Sequence, residues 1–185
     1  MESVHYLLKE VAGAPLLRPA WFFDIGQQGE GLADAGTHLV DLVPWTLFPE
    51  QAIDYRTDIQ VRRGERWPTA LTAEQFQRVT GEKTFPDFLN PGASGREEAP
   101  TEKSGLQFAY YANNSVLYSI RGVHVRLEVK WDYEAPPGGK DTELAVFRGS
   151  KASIEVRQGK EERYQPEVYV VPNQSDTTPD VLKAL

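Results

Sequence analysis

The chain has 185 residues, 40% of them hydrophobic and 25% charged, which is typical of one globular domain. Its net charge of −7 argues against a nucleic-acid or anionic-membrane surface, which needs clustered lysine and arginine. The absence of cysteine excludes disulfides and thiol chemistry, and no apolar run approaches the ~18–20 residues of a membrane span. A soluble, by default cytoplasmic protein is expected, and a leader removed from a longer precursor is left open.

The first part of the chain predicts a short helix and then an aromatic strand. Ser3 can cap an apolar helical stripe that ends at a Gly and a Pro, so residues 1–16 are assigned to a linker helix. Residues 17–185 are assigned to the domain. His5 has no acidic neighbour suited to pairing one turn away and is predicted at the surface. The aromatic run at residues 17–25 predicts a strand.

The pattern that organises the chain is a predicted helix at residues 31–43. At 100° per residue, Asp34, His38, Asp41 and Trp45 fall on one ridge, opposite an apolar side. Two carboxylates and an imidazole one turn apart are suited to moving a proton. The alternative is a purely structural role on the helix surface, in which Asp34 interacts with the helix dipole and His38 pairs with Asp41. A proline follows at position 44, where the helix either kinks or ends.

The middle of the chain predicts a strand, a loop and a second helix. Alternating apolar and polar residues at 53–61 are typical of a half-buried strand, and residues 66–69 predict a loop. Thr72 and Gln75 form a capping box for a short helix. The Pro- and Gly-rich residues 90–105 predict a mobile loop.

The second half predicts strands. Residues 106–111 and 116–120 flank Asn113-Asn114 as in a hairpin, and alternation is unbroken from 123 to 134. These elements predict an α+β fold, a mainly antiparallel open sheet of six or seven strands with helices packed on one face. Further strands are predicted near residues 142–148, 152–157 and 164–171.

Two stretches carry a family resemblance. Residues 29–41, GEGLADAGTHLVD, resemble the Gly-Gly-x-Leu-x-Asp-x-Gly-x-His-x-x-Asp motif of the glucose–fructose oxidoreductase / inositol dehydrogenase / MocA family. Residues 147–154, FRGSKASI, are similar to its strand–Gly-Thr-Lys-Gly–strand corner. In that family the first motif opens the first helix of the C-terminal, substrate-binding domain. The resemblance implies that His38 transfers a proton and that Asp34 assists it.

The resemblance also implies partners and a cofactor for the full-length protein. It implies NAD or NADP, a sugar or polyol substrate, an N-terminal Rossmann domain of the same protein, and a homo-oligomer formed through the open sheet face. Asp41 is expected to support His38. From residue type and closeness in sequence alone, three aromatic side chains are candidate platforms for a sugar ring. These are Trp45, Tyr55 and Trp67.

No cofactor or metal is expected in this chain, so the chain alone should be inactive. The loop from Gly26 to Gly31 reads G-x-x-G-x-G, reversed from the dinucleotide fingerprint, and Glu82-Lys83-Thr84 only resembles a catalytic Glu-Lys-Pro motif. Two other functions stay open. One is a non-enzymatic carbohydrate-binding or assembly module. The other is a metal-dependent hydrolase, which is disfavoured because three ligands on one helix ridge surround a single ion poorly.

Overall fold

The computed structural model describes residues 1–89 and 107–174 and, beyond them, residues 179, 181 and 183. The loop predicted at 90–105 lies outside the described residues. Two α-helices are described, α1 (Ala35–Leu47) and α2 (Ala73–Thr80). The strands are β1 (Glu2–Leu8), β2 (Glu10–Val11), β3 (Ala14–Pro15), β4 (Ile59–Thr72), β5 (Gln107–Ile120), β6 (Val123–Glu134), β7 (Thr142–Arg148), β8 (Ala152–Gln158) and β9 (Glu167–Pro172).

Seven of these strands form one sheet in the order β4-β5-β6-β1-β7-β8-β9. The pair β1–β6 is parallel, and the other pairs are antiparallel. The strands β2 and β3 form a separate small hairpin. The predicted α+β architecture is therefore confirmed, with a mainly antiparallel open sheet and helices on one side.

The helix predicted at residues 1–16 is wrong, because this segment contains β1 and the β2–β3 hairpin. In β1 the side chains of Ser3 and Leu7 are buried, 2% and 0% exposed, and they alternate with more exposed neighbours. A short apolar segment fits both a helical and a strand period, and periodicity alone cannot separate them. The tertiary structure decides, since β1 bonds to β6 on one side and to β7 on the other.

The strand predicted at residues 17–25 is also wrong. Ala20–Phe23 form a short 3₁₀ helix that buries Phe22 and Phe23. Phe23 packs edge-to-face on Phe76 of α2, with 5.1 Å between ring centroids. The aromatic residues therefore fill the core between α2 and the sheet instead of joining the sheet.

The loop predicted at 66–69 and the turn predicted at Asn113-Asn114 are both wrong, since β4 and β5 run through them. Asn113 is 2% exposed and Asn114 is 4% exposed. The Asn113 side chain donates to Trp67 O at 3.1 Å and accepts from Trp131 N at 2.7 Å. A side-chain amide thus replaces backbone pairing at a β-bulge, where the sequence suggests a turn.

The strand predicted at 53–61 begins only at Ile59, and residues 55–58 form a turn. Two other predictions are confirmed. The capping box of α2 joins Thr72 and Gln75. The alternation of β6 buries Leu127, Val129 and Trp131 as predicted, whereas Glu128, predicted on the polar face, is also only 9% exposed.

Helix α1 packs on β6 through Leu39 and Val43, which are buried. Pro44 lies inside the helix, which continues to Leu47. The approach is close because Gly36 has no side chain, and a Cβ there would lie 3.3 Å from Val129 Cγ2 and 3.0 Å from Gly31 O. A larger residue at position 36 would push α1 away from the sheet.

Among the described glycines, Gly31 is the tightest, because a Cβ there would lie 2.0 Å from Ala112 O in β5. We expect Gly31→Ala to lower the free energy of unfolding by about 2–3 kcal/mol, because the backbone must move. Gly64→Ala is the matched control in β4, since a Cβ there meets nothing within 4 Å. Urea denaturation measures both variants, and equal effects would contradict this packing.

Candidate functional site

The exposed face of α1 carries the residues predicted to be catalytic. Asp34 stands at the N-cap position and is half-buried, and His38 and Asp41 are exposed. Asp34 does not cap the helix with its side chain. Within the part of the chain that the structure describes, neither His38 nor Asp41 has a side-chain hydrogen bond or ion pair, so the His38–Asp41 pair of the alternative interpretation does not form.

The charge of Asp34 acts on two partly or fully buried groups, Arg18 and Tyr110. Burial raises the pKa of Tyr110, and the Asp34 carboxylate raises it further. The Tyr110 hydroxyl donates to Phe22 O at 3.4 Å. Burial lowers the pKa of Arg18, whereas Tyr110, Asp141 and Asp34 act in the opposite direction. The charge of Asp34 therefore acts on a tyrosine and an arginine that the sequence analysis did not assign to the site.

Arg18 is held by backbone and aromatic contacts. Its Nε donates to Leu7 O at 3.2 Å, and its Nη2 donates to Tyr6 O at 3.3 Å. The guanidinium carbon lies 4.5 Å from the centroid of the Phe22 ring and 5.0 Å from that of Trp131. A cation over two aromatic faces is stabilised by their quadrupoles. No sequence spacing reveals this arrangement, because β1, β6 and the 3₁₀ helix supply it together.

The predicted surface position of His5 is wrong. Its ring stacks on Trp131 with 4.7 Å between centroids. His5 Nδ1 lies 3.2 Å from Asp141 Oδ2, and His5 Nε2 lies 2.5 Å from Ser3 Oγ. Lys9 Nζ donates to the same Asp141 oxygen at 2.6 Å. This Ser–His–Asp chain is structural, because a Ser3 that is 2% exposed cannot meet a substrate.

Asp141 makes the stability contributed by this cluster depend on pH. Burial alone would raise the pKa of Asp141, but hydrogen bonds from His5 and Lys9 outweigh it and hold the pKa below its ordinary range. The stability that this ionised carboxylate contributes is therefore full above the unfolded pKa of about 3.9 and is lost as the pH falls through the lower folded pKa.

We expect Asp141→Asn to lower the free energy of unfolding by about 1–3 kcal/mol at pH 6, because a half-buried charge pair is broken. The difference from the unsubstituted chain should shrink below about pH 4. Urea denaturation between pH 6 and pH 3 measures it. Asp132→Asn, at an exposed position of β6, is the control. A pH-independent difference would show that the Asp141 charge is not involved.

The predicted aromatic platforms do not come together. Trp45 is 74% exposed on α1, and Tyr55 is 69% exposed in the turn before β4. Trp67 is half-buried in β4 itself. Among the described residues, no ring contact joins any two of these three side chains. Of the three, only Trp45 shares a helix with His38.

The Gly26–Gly31 loop is tied to β4 and β5 through Glu30 and Leu32. Glu30 Oε1 lies 2.5 Å from Arg66 Nη1, and Glu30 Oε2 accepts from Asn114 Nδ2 at 3.0 Å. Leu32 N donates to Asn114 Oδ1 at 3.3 Å. These contacts hold the Glu30 carboxylate and the loop against β4 and β5.

We therefore expect no saturable heat when NAD or NADP is titrated into this 185-residue chain. The reason is that the one glycine-rich loop of the described N-terminal half is occupied by the Glu30–Arg66–Asn114 contacts. Isothermal titration calorimetry makes the measurement. Binding at micromolar concentration would show that a phosphate site exists in the chain.

The described residues contain no group of three or more His, Cys, Asp or Glu side chains placed to hold a metal ion. No α-helix in the same residues has the length and apolar character to cross a bilayer.

A family model and a solved structure match this sheet and the helices packed on one side of it. The chain matches, over residues 1–185, the family described as "Putative oxidoreductase C terminal domain", and it belongs to that family. It is also similar to the crystal structure of "a putative oxidoreductase from Parabacteroides merdae ATCC 43184", with 42% sequence identity and a TM-score of 0.85. The predicted resemblance to an oxidoreductase C-terminal domain is thus confirmed.

The match covers 99% of this chain and 40% of the Parabacteroides merdae chain, so this chain spans less than half the length of that relative. No curated protein matches the chain.

Proposed function

We propose that this chain is the substrate-binding domain of an NAD(P)-dependent oxidoreductase that acts on a hydroxyl group of a sugar or polyol. The observation that carries the proposal is the exposed His38, one helical turn from the half-buried carboxylate of Asp34. The family match and the length of the Parabacteroides merdae relative support a larger enzyme. The nicotinamide cofactor would be bound by an N-terminal Rossmann domain of the same protein.

In this proposal His38 removes the proton of the substrate hydroxyl, while the nicotinamide supplies the hydride chemistry. Imidazole is the side chain that ordinarily titrates near neutrality, which suits a general base. Exposure on α1 leaves His38 open to a substrate from the solvent side. Among the described residues no protein group competes for its nitrogens.

Asp34 has a different role, because it is half-buried and its charge acts on Arg18 and Tyr110. It orients the substrate or the imidazole from the sheet side of the helix. Asp41 and Trp45 extend the exposed surface of α1 in the other direction and are proposed to contact the substrate there. Tyr55 and Trp67 stay predictions, since they lie on separate elements.

The open face of the sheet is proposed as a contact between copies of the protein. Its centre is polar. Glu128 in β6 lies 2.6 Å from Arg126 Nη2 and 2.7 Å from Lys130 Nζ. Such an oligomer contact would depend on ion pairing more than on apolar burial.

The catalytic role is tested by His38→Ala in the full-length enzyme. We expect kcat to fall ~10²–10⁴-fold, since this is the usual contribution of a general base, with unchanged affinity for the nicotinamide cofactor. Asp34→Asn should cause a smaller loss. Steady-state kinetics with saturating cofactor measures both.

His124→Ala is the matched control, because His124 is exposed on β6 and predicted to face away from α1. The melting temperature is recorded on the same samples, which separates loss of catalysis from loss of folding. A kcat of His38→Ala within a few-fold of the unsubstituted enzyme would end the catalytic role of α1. That result would favour a carbohydrate-binding or assembly module instead.

A further inference from the structure

The side chains of Asp34 and His38 have no polar contact that fixes them in place. Among the described residues, neither side chain makes a hydrogen bond or an ion pair. Their positions therefore depend on the backbone at the start of α1. A shift of that backbone moves the carboxylate and the imidazole with it, and no side-chain hydrogen bond opposes the shift.

The backbone at the start of α1 is held by residues 30–33, which immediately precede Asp34. The backbone N–H of Asp34 donates to Glu30 O at 3.0 Å. Thr37, the residue before the imidazole, donates its Oγ1 hydrogen to Ala33 O at 2.7 Å. Contacts that fix residues 30–33 on the sheet therefore also fix the first turn of α1.

Three side chains provide such contacts, and we call them the Glu30 anchor: Glu30, Arg66 and Asn114. Arg66 Nη1 donates to Glu30 Oε1 at 2.5 Å, and Asn114 Nδ2 donates to Glu30 Oε2 at 3.0 Å. Asn114 Oδ1 accepts from the backbone N–H of Leu32 at 3.3 Å. Both carboxylate oxygens of Glu30 and both ends of the Asn114 amide are thus used on one short segment.

The sheet holds the anchor where α1 approaches it. Asn114 is 4% exposed and pairs with Val129, the residue that Gly36 of α1 approaches. Arg66 is the partner of Asn114 on β4, and its guanidinium carbon lies 5.2 Å from the centroid of the Tyr111 ring. Burying an amide is unfavourable unless its hydrogen bonds are made, and a fully bonded polar network specifies one arrangement.

We propose that Arg66 and Asn114 are positioning residues, which act through Glu30 and Leu32 to hold Asp34 and His38 at the substrate hydroxyl. This inference rests on the proposed function and adds the residues that place its general base. Proton transfer needs the base within hydrogen-bond reach, and a misplacement of about 1 Å can cost ~10²-fold in rate. The anchor itself is not assigned a contact with the substrate.

The first measurement is amide hydrogen exchange by NMR on this chain, for Arg66→Gln and Asn114→Leu. Amides of residues 32–37 should exchange about tenfold to a hundredfold faster, because a hydrogen bond to a charged group is lost, while those of β6 stay unchanged. Arg63→Gln is the matched control, since Arg63 also lies on β4 and pairs with a glutamate, Glu65.

Unchanged exchange at residues 32–37 in the anchor variants would overturn the proposal. Arg66→Gln decides the outcome if Asn114→Leu does not fold, because the Arg66 side chain is 55% exposed and its replacement leaves the core intact.

The second measurement is steady-state kinetics of the full-length enzyme with NAD and NADP, on D-glucose, D-glucitol and myo-inositol. Arg66→Gln should lower kcat by about tenfold to a hundredfold without changing the affinity for the nicotinamide cofactor. Arg66→Lys should restore part of kcat because it keeps the charge. Arg63→Gln should leave kcat within twofold of the unsubstituted enzyme.

The same substitution in a His38→Ala background separates positioning from a general structural role. If Arg66 acts through His38, Arg66→Gln should cause no further loss of kcat once the imidazole is gone. An equal loss in both backgrounds would overturn the positioning role and leave the proposed oxidoreductase function intact.

A normal kcat in Arg66→Gln, together with a collapsed kcat in His38→Ala, would also overturn the positioning role alone. If the unsubstituted enzyme turns over none of the three compounds, or if His38→Ala keeps its kcat, the proposed function fails and the positioning role fails with it.

Discussion

The close approach of residues 31–36 to strands β5 and β6 is the constraint on which the site depends. Gly31 lies so near Ala112 O that no Cβ fits, and Gly36 sits against Val129. With both glycines in place, Leu39 and Val43 reach the core, and the opposite side of α1 turns to the solvent. The exposure of His38 and the half-burial of Asp34 follow from this one contact. Gly31 and Gly36 of the motif therefore act through packing, since each lets the backbone approach its neighbour closely.

An aromatic and charged cluster links four separate parts of the chain. Trp131 of β6 stacks on His5 of β1 and supports Arg18 from the segment before the 3₁₀ helix. Asp141, just before β7, holds His5 and Lys9. The cluster thus fixes the side chain of Arg18 through neighbours that are themselves fixed.

Sequence patterns predicted those elements whose periodicity was long or whose signals were local. The twelve-residue alternation of β6 and the Thr72–Gln75 capping box are examples. The helix prediction at residues 1–16 was wrong because the short segment β1 also fits a helical period over one or two turns. Its strand partners lie far along the chain. The turn prediction at Asn113-Asn114 was wrong for a different reason. An asparagine pair ordinarily indicates a turn, but here the Asn113 side-chain amide bonds to Trp67 O and Trp131 N inside the sheet.

In the candidate site, the sequence pattern alone indicated that Asp34 and His38 share one ridge of a helix. The surroundings of Arg18 and His5 could not be predicted in this way, because they come only from tertiary contacts.

The place of β1 in the sheet has a consequence for how the domain folds. Among the described strands, β1 is the sole link between the antiparallel meander β4–β5–β6 and the antiparallel meander β7–β8–β9. It pairs Glu2 with Glu128 and with Leu144, so its partners are the most distant in sequence that the sheet contains. Each meander can form from local contacts, but the two can join only when the beginning of the chain inserts between them. A truncation that removes β1 would therefore leave two half-sheets, each with a new unpaired edge, and such edges readily pair with other molecules.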